Sequence, residues 1–200
     1  MRPLPIGIDD FKKLRENNFC YVDKSLFIQE LLDNRSEVSV FMRPRRFGKT
    51  LGLSMLKYYF EKGFDPDGNE IDNKKLFNGL NILNAGENYT KYMGQYPVIS
   101  LSLKCAKQPD FEMAYESLID EIAQEFDRHS HILLNSNLNS AEKIQYRDMI
   151  EKKGSDSVWA KALNFLSRCL KKVYRKNVII LLDEYDVPLE NAYFQGFYGQ

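Results

Sequence analysis

Three consecutive residues, Gly48, Lys49 and Thr50, have the types and the order that bind the phosphates of a nucleotide. The lysine would reach the β- and γ-phosphates, and the threonine hydroxyl would ligate Mg²⁺. The glycine lets the backbone approach the phosphates closely, because it has no Cβ. The usual pattern is G-x-x-x-x-G-K-[ST], and its first glycine would fall where this chain has Arg43. The sequence therefore predicts a phosphate-binding loop with an unusual beginning.

The residues before this glycine, RPRRF, are rich in arginine. The guanidinium groups of Arg45 and Arg46 could neutralise the charge of the γ-phosphate, as an arginine finger does. The alternative, which is the more common role of surface arginines, is that they form ion pairs with Asp or Glu elsewhere in the chain. The predicted nucleotide contacts come from the loop and the first helical turn, namely Arg45, Arg46, Phe47, Gly48, Lys49, Thr50 and Leu51.

A second pair of chemical residues, Asp183 and Glu184, follows the aliphatic run 178–182. A hydrophobic strand that ends in Asp-Glu is the pattern of a Walker B strand, which lies beside the phosphate-loop strand in the sheet. Asp183 would complete the Mg²⁺ shell that Thr50 begins, and Glu184 would orient or deprotonate the attacking water. The predicted catalytic residues are therefore Glu184 and Lys49, and the predicted metal ligands are Thr50 and Asp183.

These side chains need a strand, a tight loop and a helix to position them. Residues 38–42 read as a short buried strand that ends at proline, and residues 51–62 have the apolar spacing of a helix. In this context the unpaired N–H groups and the positive dipole end of the new helix would face the phosphates. Residues 96–103 and 178–182 read as two further strands.

The remaining pattern places helices between the strands, over residues 24–32, 110–132, 141–152 and 158–174. Asp23 is the predicted N-cap of the first of these helices. The alternative is that residues 21–24 lie near the nucleotide base and Tyr21 stacks on adenine, and the N-cap role is favoured. Continuous apolar strands that alternate with helices indicate a parallel sheet covered on both faces. The predicted fold is therefore α/β, a P-loop NTPase with three α/β/α layers and a mainly parallel sheet.

Composition excludes several classes of protein. Lys plus Arg and Asp plus Glu both number 28, so the formal net charge is zero, whereas a dedicated nucleic-acid binder usually carries a basic excess. The three cysteines are far apart and form no C-x-x-C pair, which argues against a disulfide framework or a zinc ribbon. No signal peptide and no apolar run of membrane-spanning length is visible. The sequence predicts a cytoplasmic protein without membrane contact that meets nucleic acid only indirectly, if at all.

The motifs RPRRFGKTL and LLDEYDVPL, with LFNGLNI and YPVISLSLK, resemble the AAA-ATPase-like family of bacteria and archaea. The resemblance runs through the whole chain. The family loop also reads RPRRFGKT, so the resemblance implies that Arg43 is a tolerated variation on a working site. Members often carry a C-terminal nuclease-like domain of the PD-(D/E)XK type, and the resemblance implies ATP and Mg²⁺ as ligands.

A complete fold of this kind has at least two more core strands after the Walker B strand. We therefore expect residues 1–200 to be the N-terminal part of the domain, with a lead-in segment and helix at 1–34 and the P-loop core at 35–200. Such an incomplete sheet would leave an unpaired edge and exposed apolar surface, which favours low stability or association.

Two functions of different classes fit the sequence. The first is an ATPase in which hydrolysis drives or gates a C-terminal nuclease-like domain or a partner protein. The second is a regulatory module that binds nucleotide without hydrolysing it and acts through protein contacts. Nuclease action within these residues is disfavoured, because no D…E-x-K strand pair is visible.

Overall fold

The computed structural model of the chain describes residues 2–42, 47–65 and 68–199. The chain divides into two compact units, Met1–Tyr96 and Pro97–Gln200. The structure is mixed α/β and 53% helical, so helices rather than strands dominate both units. No helix in the described part of the chain combines the length and apolar character needed to cross a membrane.

The first unit consists of short helices and one small hairpin. Its elements are α1 (Phe11–Glu16), α2 (Phe27–Asn34), α3 (Lys49–Phe60), β1 (Gly63–Phe64), β2 (Glu70–Ile71) and α4 (Glu87–Thr90), with 3-10 helices at Lys74–Phe77 and Asn81–Asn84. Strands β1 and β2 are antiparallel. The core is aromatic, since the Phe77 ring lies 5.1 Å from that of Phe11 and 5.2 Å from that of Tyr59.

The second unit is a two-stranded parallel sheet with long helices. Its elements are β3 (Val98–Ser102), α5 (Phe111–Arg128), α6 (Ser140–Ile150), α7 (Asp156–Trp159), α8 (Ala162–Tyr174), β4 (Ile179–Asp183) and α9 (Val187–Gln195), with 3-10 helices at Leu103–Ala106 and Ser130–Leu134. The register pairs Val98 with Ile179 and Ser102 with Asp183. Two side chains of β3, Ile99 and Leu101, enter a core built from α5, α6, α7 and α8.

Side chains that bind backbone N–H groups set the helix starts of this unit. Asp110 accepts a hydrogen bond from Met113 N at the start of α5. Asn139 and Glu142 form a reciprocal capping box at the start of α6, with both hydrogen bonds at 2.9 Å. These local signals explain why both helices were predicted within a few residues of their observed starts.

The predicted strand at residues 38–42 is wrong. The segment is not a strand, and Val38, Val40 and Met42 are exposed, the first at 80%. Its Phe41 ring packs against Phe27 of α2 at 4.8 Å. A β-strand requires a hydrogen-bonding partner, and in the described residues no strand pairs with this segment.

Other element predictions hold with shifted bounds. Strands β3 and β4 confirm the runs at 96–103 and 178–182, and α3 begins two residues earlier than predicted. The predicted helix 110–132 ends at Arg128 and continues as a 3-10 helix, and the predicted helix 158–174 is divided into α7 and α8. The expected burial of β4 on both faces is wrong, since Ile180 is 46% and Leu182 39% exposed.

The segment around Asp23 also differs from the prediction. Asp23 is not the N-cap of α2, which begins at Phe27. Its carboxylate instead accepts hydrogen bonds from Ser25 N and Asn81 N, both at 2.8 Å. The Tyr21 ring packs edge-on against Phe11 at 5.5 Å, so this ring lies in the aromatic core of the first unit.

Candidate functional site

The first group of predicted site residues lies at the start of α3. Gly48 is the N-cap residue, with φ 76° and ψ 31°, a left-handed conformation that strains any residue with a Cβ. Gly52 N donates to Gly48 O at 2.9 Å, which closes the first helical turn. This backbone conformation therefore favours glycine at position 48, where the helix begins.

Lys49, Thr50 and Leu51 form the first turn of α3. Lys49 and Leu51 are half-buried, whereas Thr50 and Phe47 are exposed. The first turn contains no acidic side chain, so nothing in it opposes the positive end of the helix dipole. This arrangement has the charge and the hydrogen-bond donors that an anion requires.

Arg45 and Arg46, the candidate γ-phosphate ligands, lie outside the described residues, as does Arg43. The structure therefore describes five of the seven predicted nucleotide contacts. These five lie in a continuous stretch from Phe47 to Leu51.

Helix α3 is held by the start of α1. Asp10 caps α1 through Lys13 N at 2.6 Å, and its second oxygen accepts hydrogen bonds from the Ser54 hydroxyl at 3.3 Å and the Tyr58 hydroxyl at 2.9 Å. Burial and the neighbouring Asp10 raise the pKa of Tyr58, so this hydroxyl stays protonated and can donate. Ser54 in turn accepts from Phe11 N at 2.9 Å.

Sequence reasoning missed this role of Asp10. The signal for its capping role was present, because an Asp precedes the helical stretch FKKLRE. Its contacts with Ser54 and Tyr58 span more than forty residues of sequence and leave no local pattern.

The second group of predicted residues lies at the end of β4. Asp183 is the last residue of the strand and is buried, and its Oδ1 accepts a hydrogen bond from Glu184 N at 3.0 Å. Glu184 is half-buried and takes a left-handed backbone conformation with φ 50°. The chain then turns, as Val187 N donates to Glu184 O at 3.1 Å, and α9 begins. Ligands of open parallel sheets bind beyond the carboxyl ends of the strands, which is where this pair lies.

Asn191 in α9 anchors the segment that follows this turn. Its side-chain amide is buried and donates to Gln108 O at 2.6 Å and to Ala106 O at 3.3 Å. It thus joins the helix after β4 to the loop after β3. Sequence reasoning missed Asn191, since a polar residue inside a helix has no periodic signal. Asp186 is the N-cap residue of α9, but its side chain makes no capping hydrogen bond.

Two of the predicted site residues carry oxygen atoms of the kind that Mg²⁺ binds. The Thr50 hydroxyl and the Asp183 carboxylate are hard ligands, and Mg²⁺ usually takes only one or two protein ligands besides phosphate oxygens and water. In residues 2–42, 47–65 and 68–199, no group of three or more His, Cys, Asp or Glu side chains could hold a metal ion. Lys49 and Thr50 belong to the first unit, and Asp183 and Glu184 to the second.

Comparison with known proteins gives one curated relative and one family. No solved structure matches the chain. The relative is the "Uncharacterized protein in vnfD 5'region" of Azotobacter chroococcum mcd 1, which is 35% identical over 102 residues. The matched part covers 50% of this chain and 17% of that protein, so the chain matches only a small part of the relative's length.

The family match covers almost the whole chain. The model of the AAA-ATPase-like family, described as Predicted AAA-ATPase, matches residues 5–198. This match confirms the resemblance carried by RPRRFGKTL and LLDEYDVPL. The chain therefore belongs to the AAA-ATPase-like family.

Proposed function

We propose that this chain binds ATP with Mg²⁺ as the nucleotide-binding part of a P-loop ATPase. Membership of a family described as Predicted AAA-ATPase supports nucleotide binding. The observation that carries the proposal is the start of α3, where Gly48 takes the left-handed conformation and Lys49 and Thr50 follow in the first turn. The amides, the helix dipole and the ammonium group all favour a polyphosphate there.

Each residue has a chemical role in this proposal. Lys49 would neutralise the β- and γ-phosphates, and Thr50 and Asp183 would supply oxygen ligands for the metal. Bound Mg²⁺ would supply charge neutralisation to the phosphates. Glu184 would orient the attacking water and accept its proton. The water oxygen would then bond to the γ-phosphorus while the bond from that phosphorus to the β–γ bridging oxygen breaks, which releases ADP and phosphate.

The proposed fold is that of a P-loop NTPase, in which β3 and β4 are two strands of a larger, mainly parallel sheet between two helical layers. We propose further that the complete protein carries another domain, nuclease-like or bound to a partner, which ATP hydrolysis drives or gates. The much greater length of the curated relative supports a larger protein. The cytoplasm is the proposed location.

Equilibrium titration of the chain with ATP, with and without Mg²⁺, tests nucleotide binding. We expect Lys49→Ala to weaken binding by about tenfold or more, because a charge-assisted contact with phosphate is lost. Lys57→Ala is the matched control, since Lys57 lies in the last turn of the same helix. Equal affinity in both variants would contradict a phosphate site at Gly48–Thr50.

Phosphate release separates hydrolysis from binding. An ATPase should lose turnover but keep ATP binding in Glu184→Gln, because the amide cannot accept the proton. A chain that binds ATP and releases no phosphate, in wild type and variant alike, would instead be the non-hydrolysing regulatory module.

Arg46→Ala tests the proposed contact between the arginine-rich loop and the γ-phosphate. We expect the substitution to reduce the affinity for ATP more than the affinity for ADP, because only ATP carries the γ-phosphate. Unchanged affinity and turnover would assign Arg46 to ion pairs within the protein.

A further inference from the structure

The backbone of β3 has an outer edge, on the side away from β4. In a parallel pair, successive residues of a strand direct their backbone N–H and C=O groups to opposite sides. Ile179 N donates to Pro97 O at 3.1 Å, so Pro97 faces β4. Odd-numbered residues of β3 thus direct their N–H and C=O groups toward β4. The groups of Val98, Ser100 and Ser102 point to the opposite side. In the described part of the chain, β3 pairs with β4 alone.

Side chains of α5, rather than a strand, bind three of these outer groups. Three hydrogen bonds do so: Ser102 N donates to Glu121 Oε1 at 3.0 Å, Ser100 N donates to Glu125 Oε1 at 2.7 Å, and Arg128 Nη2 donates to Val98 O at 2.6 Å. The order of contacts shows that the helix runs antiparallel to the strand. We name Glu121, Glu125 and Arg128 the edge cap.

The spacing of the edge cap matches the spacing of the strand. Positions 121, 125 and 128 are related by i, i+4 and i+7, which lie on one face of a helix. Four helical residues rise about 6 Å. Two strand residues rise about 6.6 Å, so each turn of the helix meets the next outward backbone group.

The centre of the edge cap is a buried ion pair. Glu125 is 5% exposed, and Arg128 donates to it from Nε at 2.8 Å and from Nη2 at 2.6 Å. His129 Nε2 lies 3.0 Å from Val98 O and 3.5 Å from Glu125 Oε1. Burial opposes the charge of Glu125, but the hydrogen bonds and charges of Arg128 and His129 outweigh it and lower the pKa of Glu125 to about 2. The carboxylate is therefore a permanent acceptor for Ser100 N.

A strand edge with unsatisfied N–H and C=O groups is a template for another strand, from a second copy or from a different protein. We propose that the edge cap closes the outer edge of β3 to strand addition and thereby makes β3 a terminal strand of the sheet. A strand that approached this edge would have to displace two carboxylates and a guanidinium from their hydrogen bonds. With this edge closed, further strands can join the sheet only at its other edge, beside β4.

Residue-specific amide exchange tests the cap without disturbing the buried ion pair. In Glu121→Ala we expect the Ser102 amide to exchange about tenfold faster, as one hydrogen bond is lost, with Ser100 unchanged. Glu121→Gln keeps an acceptor oxygen and should retain the wild-type rate. Asp120→Ala is the matched control, because it breaks the neighbouring ion pair of α5 with Lys152 and touches no group of β3.

Opening the whole edge tests the exclusion of strands. The triple variant Glu121→Ala, Glu125→Leu, Arg128→Leu replaces the ion pair by apolar side chains, a change that often preserves stability. We expect it to associate at lower concentration than the wild type in sedimentation, with Ser100 and Ser102 protected again in the associated form. The control for added leucines is Glu112→Leu with Glu116→Leu, at exposed positions of the same helix.

Two results would overturn the proposal. One is wild-type exchange at Ser102 in Glu121→Ala, which decides the matter even where the triple variant does not fold. The other is a folded triple variant that associates no more than the leucine control.

Discussion

At the scale of single residues, Glu184 is held in a conformation that its side chain disfavours. Its φ of 50° lies in the left-handed region, where a residue with a Cβ is less stable by about 1–2 kcal/mol. Strained backbone is characteristic of functional sites, and Glu184 is the residue proposed to activate water.

Glu184→Gly tests whether this backbone conformation is strained. We expect the free energy of unfolding to stay equal or rise by up to about 1 kcal/mol, because glycine adopts positive φ without strain but is more flexible in the unfolded chain. Glu116→Gly, at an exposed position in the middle of α5, should lower it by about 1 kcal/mol. Denaturant titration measures both, and equal losses in the two variants would contradict strain at Glu184.

His131 links stability to pH. Burial, together with the charges of His129 and Arg128, lowers the pKa of His131 to about 4, and its Nε2 lies 2.8 Å from the Tyr174 hydroxyl. The unfolded chain binds a proton here below about pH 6.5, whereas the folded protein does so only near pH 4. Stability contributed by the neutral ring is thus present above pH 6.5 and is lost as the pH falls toward 4.

His131→Gln should flatten this part of the stability profile. We expect the wild type to lose about 1–2 kcal/mol more than the variant between pH 6.5 and 4, a value reduced from the full linkage because the ring is half-exposed. Urea titrations at several pH values measure the difference. Parallel profiles of wild type and variant in this window would contradict a depressed pKa. Protonation of Glu125 affects a separate range, below about pH 4.5.

At the scale of elements, the position of α3 depends on Asp10. Asp10→Ala removes the N-cap of α1 and the acceptor for the Ser54 and Tyr58 hydroxyls. We expect a loss of about 1–3 kcal/mol in unfolding free energy, from a lost cap and unpaired hydroxyls. Thermal or denaturant unfolding measures it. The neighbouring Asp9 is exposed, and Asp9→Ala should change stability by less than about 0.5 kcal/mol. Equal losses would show that Asp10 acts only through charge.

A helix or strand could be predicted where neighbouring residues in the sequence are enough to specify it. Asp110 and Asn139 are capping residues next to apolar periodicity, and the predicted starts of α5 and α6 lie within one residue of the observed ones. The segment 38–42 has the composition of a strand, but strand formation depends on a partner distant in sequence. Periodicity cannot report that partner.

The contacts that polar helix residues make with a distant strand also could not be predicted from the sequence. Glu121, Glu125 and Arg128 are charged residues at helical spacing, and such residues are usually exposed. Their contacts with β3 depend on the strand edge and join residues that are 19, 25 and 30 positions apart in the chain.

At the scale of the whole molecule, the second unit contains a complete core of its own. The buried cluster that includes Phe126, Tyr146, Phe165 and Leu166 is drawn only from residues of Pro97–Gln200. Tyr146 also donates to Phe126 O at 2.8 Å inside this core. The internal burial favours independent folding of this unit.

We therefore expect residues 97–200 to fold without residues 1–96 and to unfold cooperatively, as followed by circular dichroism and Trp159 fluorescence. A shorter chain, residues 105–200, lacks Ile99 and Leu101 of β3 and should lose cooperative unfolding, because the core loses two buried side chains. A disordered 97–200 fragment would contradict the autonomy of this unit.

The sequence by itself determined the family, strands β3 and β4, the long helices of the second unit, and the two chemical motifs. These depend on neighbours in the chain: a glycine that permits positive φ before a helix, and an aliphatic run that ends in Asp-Glu. Only the tertiary structure decided that residues 38–42 stay unpaired in the described chain, that Asp10 holds α3, and that α5 closes the edge of β3. Those features are hydrogen bonds between residues far apart in sequence, and their energies depend on which groups folding brings together and removes from water.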